Sequence, residues 1–134
     1  MKRVTIFFIA LLLVHFAIAQ DTFSIVAVDS TTGEVGSAGA TCLDVTTSGV
    51  SAIIISEVKT GKGAIHTQSY WLAANQQNAS SQMDLGKSPQ DIINWLTAND
   101  AGNDASLRQY GIADLDGNNS PRTAAFTGSN CFDF

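Results

Sequence analysis

The chain has 134 residues, of which 45% are hydrophobic, 14% charged and 8% aromatic. That is enough for one domain with its own core, and too few charges for a chain held open by self-repulsion. A net charge of −5 leaves no basic surface to displace phosphate counterions, so nucleic acid is not an expected partner.

Residues 1–19, MKRVTIFFIALLLVHFAIA, read as an export signal peptide. Lys2 and Arg3 form its positive start and Val4 to Val14 its apolar stretch. Ala17 and Ala19 are the small residues before a cleavage site. The apolar stretch is shorter than the ~20 residues of a spanning helix, and His15 breaks it. The expected mature domain, residues 20–134, is secreted or periplasmic and has no membrane partner. Loss of Lys2 and Arg3 makes it more acidic still.

Two strands open the mature part. In TFSIVAV, residues 22–28, Phe23, Ile25 and Ala27 alternate with Ser24, Val26 and Val28. Asp29 to Gly33 is rich in turn residues, and Glu34 to Val45 continues as a second strand. Its small residues, Gly36 to Ala40, admit close approach of another backbone. Val50 to Val58 (VSAIIISEV) is β-branched and apolar on both faces, which predicts a buried strand. The turn Thr60-Gly61-Lys62-Gly63 leads into a strand at Ala64 to Gln68.

From Ser69 to Leu85 the composition favours helix, with Tyr70, Trp71, Ala74 and Met83 as the buried stripe. A second helix has a clear start. Ser88 caps it, Pro89 occupies the first position and Asp91 completes a capping box. It is predicted to stop near Asn99–Asp100. Arg108 to Leu115 and Thr123 to Thr127 form a hairpin around Asp116-Gly117-Asn118. This order of elements predicts an α+β fold with antiparallel sheet.

Few side chains carry a chemical signal. The calcium-like spacing Asp114-Leu115-Asp116-Gly117-Asn118 fails at Asn119 and at Ala125, leaving an Asp-Gly turn. His66, the only histidine after the leader, lies in a strand, where packing outweighs a general-base role. No metal and no cofactor are expected. In an oxidising compartment Cys42 and Cys131 are a candidate disulfide. It would close a loop of roughly 90 residues, stabilising by about 4–5 kcal/mol in the chain-entropy model. Two buried free thiols are the alternative.

Thr22 starts the first strand a few positions beyond the cleavage site. A threonine at a mature N-terminus carries a nucleophile and a base together, since its α-amine, with pKa near 8, accepts the hydroxyl proton. The plainer reading is a β-branched strand residue.

The segments TFSIVAVD (22–29), GEVGSAGAT (33–41), GKGAIHTQSYW (61–71), SPQDIINWL (88–96), RQYGIADLDG (108–117) and AAFTGSNC (124–131) carry a resemblance. In order and spacing the chain resembles the bacterial family of unknown function 1028, DUF1028, grouped with the N-terminal-nucleophile (Ntn) hydrolases. The resemblance implies a four-layer α-β-β-α sandwich with antiparallel sheets, in which the first mature residue attacks an amide carbonyl. That role falls on Thr22, with backbone amides near Gly39 and Ala40 as oxyanion donors.

The family tends to run on beyond the point where this chain stops, so an incomplete sandwich with an exposed apolar face is expected. The chain departs from the family pattern twice. Cleavage after Ala19 leaves Gln20 and Asp21 ahead of Thr22, which turns the α-amine into an amide. Cys42 stands where relatives carry a lysine, with Lys59 and Lys62 as substitutes. The resemblance implies an exported amidohydrolase acting on a small-molecule or peptide amide. The alternative is a non-catalytic cell-envelope module that binds glycan or peptidoglycan, with Tyr70 and Trp71 stacking on sugar rings.

Overall fold

Thr22 to Val28 forms β1 and Val35 to Thr41 forms β2, paired antiparallel with Thr22 opposite Thr41 and Val28 opposite Val35. Between them Gly33 takes a φ of +74°, and Asp29 Oδ1 accepts from the N–H groups of Thr31 and Thr32. The computed structural model describes residues 22–42 and 45–131. The expected signal peptide, Gln20 and Asp21 therefore lie outside the described residues.

After β2 come a one-turn helix α1 (Val45–Ser48), a 3₁₀ turn (Ala52–Ile55) and β3 (Ser56–Lys59). Then follow β4 (Gly63–Gln68), α2 (Ala73–Asp84) and α3 (Pro89–Ala98). A second 3₁₀ turn (Ala105–Leu107) leads into β5 (Gln109–Leu115) and β6 (Pro121–Thr127). The second sheet has the order β3-β4-β5-β6, antiparallel throughout. The described residues thus form the expected α+β fold, with two antiparallel sheets and three α-helices.

The larger sheet is covered on both faces. β1 lies across β4 and β5, while α2 packs on β4 and α3 on β5 and β6. β4 is accordingly buried along its whole length. Ile65 joins Ala79, Met83, Ile92 and Leu96 in the helix-side core, and Thr67 Oγ1 donates to Gln76 on α2 at 3.2 Å. Alternation turns Ala64, His66 and Gln68 the other way, toward β1. On β5, Tyr110 and Ile112 face the helices, so Gly111 and Ala113 face β1.

The outer face of β1 remains open, with Phe23 69% and Ile25 63% exposed. α3 begins as expected. Ser88 Oγ accepts from the Asp91 N–H at 3.2 Å and donates to the Asp91 carboxylate at 2.7 Å, a cap worth about 1 kcal/mol. Its Ile92, Ile93 and Leu96 are buried.

Three expectations need correction. The strand predicted over Val50–Val58 is confined to Ser56–Lys59, and Ala52–Ile55 is a 3₁₀ turn in which only Ile55 is buried. Here the chain crosses from one sheet to the other. The Ser37 and Ser56 hydroxyls bond at 2.5 Å, and Ile55 packs where Gly39 has no Cβ. That tertiary demand overrides β-branched propensity.

The strand predicted to reach Val45 ends at Thr41, and Val45 starts α1. The first long helix starts at Ala73 instead of Ser69, because Ser69 (φ 61°) and Tyr70 (φ 46°) are left-handed. Its buried stripe is Asn75, Ala79 and Met83, while Ala74 is exposed.

Candidate functional site

Where β1 begins, the two sheets are tied together by side chains. Thr22 Oγ1 and Thr41 Oγ1 bond at 3.0 Å across the β1–β2 pair. Gln68 Nε2, at the end of β4, donates to the main-chain oxygen of Thr22 at 3.0 Å. The same amide donates to Gln109 Oε1 at 2.6 Å, and Gln109 Nε2 donates to Thr127 Oγ1 at 3.1 Å. The Gln68 orientation follows from this, because a carbonyl facing the Thr22 oxygen would be repelled. Its Oε1 is then buried without a partner among the described residues.

This junction opens onto a cavity of about 350 Å³, within the range of small-molecule sites. Thr22, Thr41, Cys42 and Gln68 line it from the strands. Ser51, Ala52, Ile54 and Ile55 line it from the crossover, and Ser69, Tyr70 and Trp71 from the segment between β4 and α2.

That last wall is strained and braced. Left-handed backbone at Ser69 and Tyr70 costs about 1–2 kcal/mol per residue. Arg108 Nη1 donates to the Tyr70 carbonyl at 2.7 Å, and Trp71 Nε1 donates to Gln76 Oε1 at 2.7 Å. The guanidinium is itself held by Asp100, through Nε at 2.9 Å and Nη2 at 3.2 Å. Asn75 Nδ2 links Asp100 (2.6 Å) to the Tyr110 hydroxyl (3.0 Å).

Burial alone would raise the Asp100 carboxyl. The Arg108 guanidinium, the Asp104 and Gly102 N–H groups and the Asn75 amide outweigh it and hold that group far below the usual carboxylate range. Burial, reinforced by the Asp100 charge, pushes the Tyr110 phenol up to about 12.

The architecture and this cavity can be set beside known proteins. The family model described as "Family of unknown function (DUF1028)" matches residues 22–134. The chain belongs to that family. A crystal structure of protein SPO2555 from Silicibacter pomeroyi, also of DUF1028, is similar at 30% identity and a TM-score of 0.63. The match covers 84% of this chain and 47% of that one, so the chain spans about half the length of that relative. No curated protein matches it.

In this DUF1028 chain the fold brings Thr22, Cys42, Tyr70 and Trp71 to one cavity. Gly39 and Ala40 sit just before Thr41, opposite Ser24 and Phe23, and neither is among the lining residues. Opposed pairs alternate in an antiparallel ladder. One of the two N–H groups therefore points to β1 and the other to the free edge of β2.

The expected disulfide is not formed. Cys42 is an exposed free thiol beside the cavity, and Cys131 is a separate free thiol beyond β6. The Cys131 sulfur is directed at the carbonyl oxygens of Arg108 (3.3 Å) and Ser106 (3.8 Å).

Lys59 and Lys62 do not replace a lysine at Cys42. Lys59 bonds Asp84 and the Ser80 carbonyl, and Lys62 bonds Asp84 at 2.9 Å. In the register Lys59 stands opposite Gly63, at the end of β4 remote from Gln68 and roughly 17 Å along the strand.

His66 lies between the sheets with Nδ1 and Nε2 unpartnered among the described residues, and burial lowers its pKa. It is a packed neutral side chain. Asp116 Oδ1 accepts from the N–H groups of Asn118 and Ser120, which is the chemistry of a turn. Thr41, Ser51 and Gln68 are members of the site that the sequence did not single out. Nothing in their local spacing distinguishes them from ordinary strand and loop residues.

Proposed function

We propose that this DUF1028 chain is an exported amide hydrolase of the Ntn type, with Thr22 as its nucleophile. The observation that carries this reading is the placement of Thr22. It stands first in β1, lines the cavity, bonds Thr41 through its hydroxyl and is anchored at its carbonyl by Gln68. The strained, braced wall opposite supports the same reading, since such backbone persists where a site requires it. The layer order of helices, large sheet and small sheet suits an α-β-β-α sandwich whose fourth layer would cover Phe23 and Ile25.

Catalysis requires that processing remove residues 1–21 and free the Thr22 amine. That amine, pKa near 8, takes the Oγ1 proton as Oγ1 bonds to the amide carbonyl carbon. The carbonyl oxygen becomes an oxyanion; Gly39 and Ala40 lie outside the cavity lining, so the β2 backbone there is not placed to donate to it. Collapse breaks the C–N bond, and the proton on the α-amine passes to the leaving nitrogen. Water then adds to the ester carbon with the α-amine again taking a proton. The acid departs and the threonine is restored. Thr41 orients the hydroxyl throughout.

The test is hydrolysis of acyl anilides by the processed protein. Thr22→Ala is expected to abolish turnover and Thr22→Ser to retain part of it. Turnover unaffected by Thr22→Ala would remove the nucleophile from the account.

A second reading has its own observation. Tyr70 is 60% exposed beside Trp71, an arrangement suited to stacking on a sugar ring. Retention on peptidoglycan that survives Thr22→Ala, with no amide hydrolysis, would favour a binding module.

A further inference from the structure

The polar residues described as lining the cavity (Thr22, Thr41, Cys42, Ser51, Gln68 and Ser69) are all uncharged. Ala52, Ile54, Ile55 and Trp71 add apolar surface. The cations of the neighbouring elements are already paired. Arg108 is held by Asp100, Arg122 by Asp114, and Lys59 and Lys62 by Asp84. Lys87 follows the far end of α2, a helix of about 18 Å whose near end adjoins Trp71. A substrate carboxylate entering this cavity would therefore lose water and gain no described counter-charge except a freed Thr22 ammonium, and pairing there would hold the catalytic base protonated. The chain's net negative charge opposes its approach as well.

We infer that the cavity takes amides with an uncharged aliphatic or aryl acyl group, seated against Ile54, Ile55 and Trp71. This rests on reading the Thr22 cavity as an amide site. It excludes acyl groups that carry a carboxylate, such as succinyl or γ-glutamyl.

Two anilides of similar length separate the cases. Valeranilide has an uncharged acyl chain, and succinanilate ends the same chain in a carboxylate. Binding of each to the chain processed to Thr22 is measured by isothermal titration calorimetry at pH 9, where an α-amine of pKa near 8 is neutral. Valeranilide is expected to bind at least ~10-fold more tightly. Ser51→Lys, at an exposed lining position, places a cation in the cavity and is expected to reduce that preference several-fold. Equal or tighter binding of succinanilate by the unaltered chain, or no binding of either anilide, overturns the inference.

Hydrolysis is read separately. Valeranilide that binds with the expected preference yet is never cleaved leaves the acyl class standing and overturns Thr22 catalysis alone.

Discussion

The side-chain amide of Gln68 donates to the main-chain carbonyl of Thr22 at 3.0 Å, tying the last residue of β4 to the first of β1 across two separate sheets. Gln68→Ala removes this bond and the one to Gln109 in a buried setting. A loss of about 1–3 kcal/mol is expected in urea denaturation. Anilide turnover should fall at least ~10-fold, because a nucleophile displaced by an ångström loses its alignment. Full turnover in Gln68→Ala would show that the tie does not position Thr22.

The brace behind the Tyr70 wall has a pH signature. Asp100 is a carboxylate in the fold with a pKa held far below that of the unfolded chain. Its stabilisation is therefore complete above the unfolded value near 4 and is lost as pH falls toward the folded one. Asp100→Asn should cost roughly 3–5 kcal/mol at pH 7, since it strips Arg108 of its buried partner. The deficit should narrow as pH is lowered from 5 to 3. Denaturation curves across that range check both the size and the slope.

His66 predicts a second loss on the acid side, at higher pH. Burial depresses its folded pKa below the unfolded value of about 6.5, so the unfolded chain binds the proton more readily. Stability should fall as pH drops below ~6.5, and His66→Met should lack this component. Thermal melts of the two proteins between pH 8 and 5 should diverge in slope. Parallel melts would mean that His66 finds a partner for its proton.

Both cysteines should react with iodoacetamide without prior reduction, and Cys42 first, because it is the exposed one. Alkylation at Cys42 places bulk on the cavity wall and should block valeranilide binding. Peptide mapping of the partly alkylated protein resolves the order of reaction. A protein that resists alkylation until reduced would carry the bridge that the fold lacks.

Local chemistry made some elements legible. Ser88, Pro89 and Asp91 specify the start of α3, and Asp116-Gly117 specifies the β5–β6 turn, because each acts on backbone within a few residues. The misreadings fall where long-range contacts decide. Ala52–Ile55 has strand composition but turns to carry the chain between sheets. Ser69 and Tyr70 sit in a helix-like composition, yet their left-handed backbone is held by Arg108, 38 positions from Tyr70. The site divides in the same way. Thr22 is legible as a candidate from its place after the expected leader, whereas Gln68 and Thr41 matter only through partners 46 and 19 positions away. No spacing rule reaches that far.

The central claim is that Thr22 becomes the first residue of the mature chain, with a free amine beside its hydroxyl. Intact mass and N-terminal sequencing of the protein recovered from its native host test it directly. The account predicts a mature chain that begins at Thr22 and whose amine can be labelled by amine-specific reagents. A mature chain beginning at Gln20, or closed there as pyroglutamate, would contradict it.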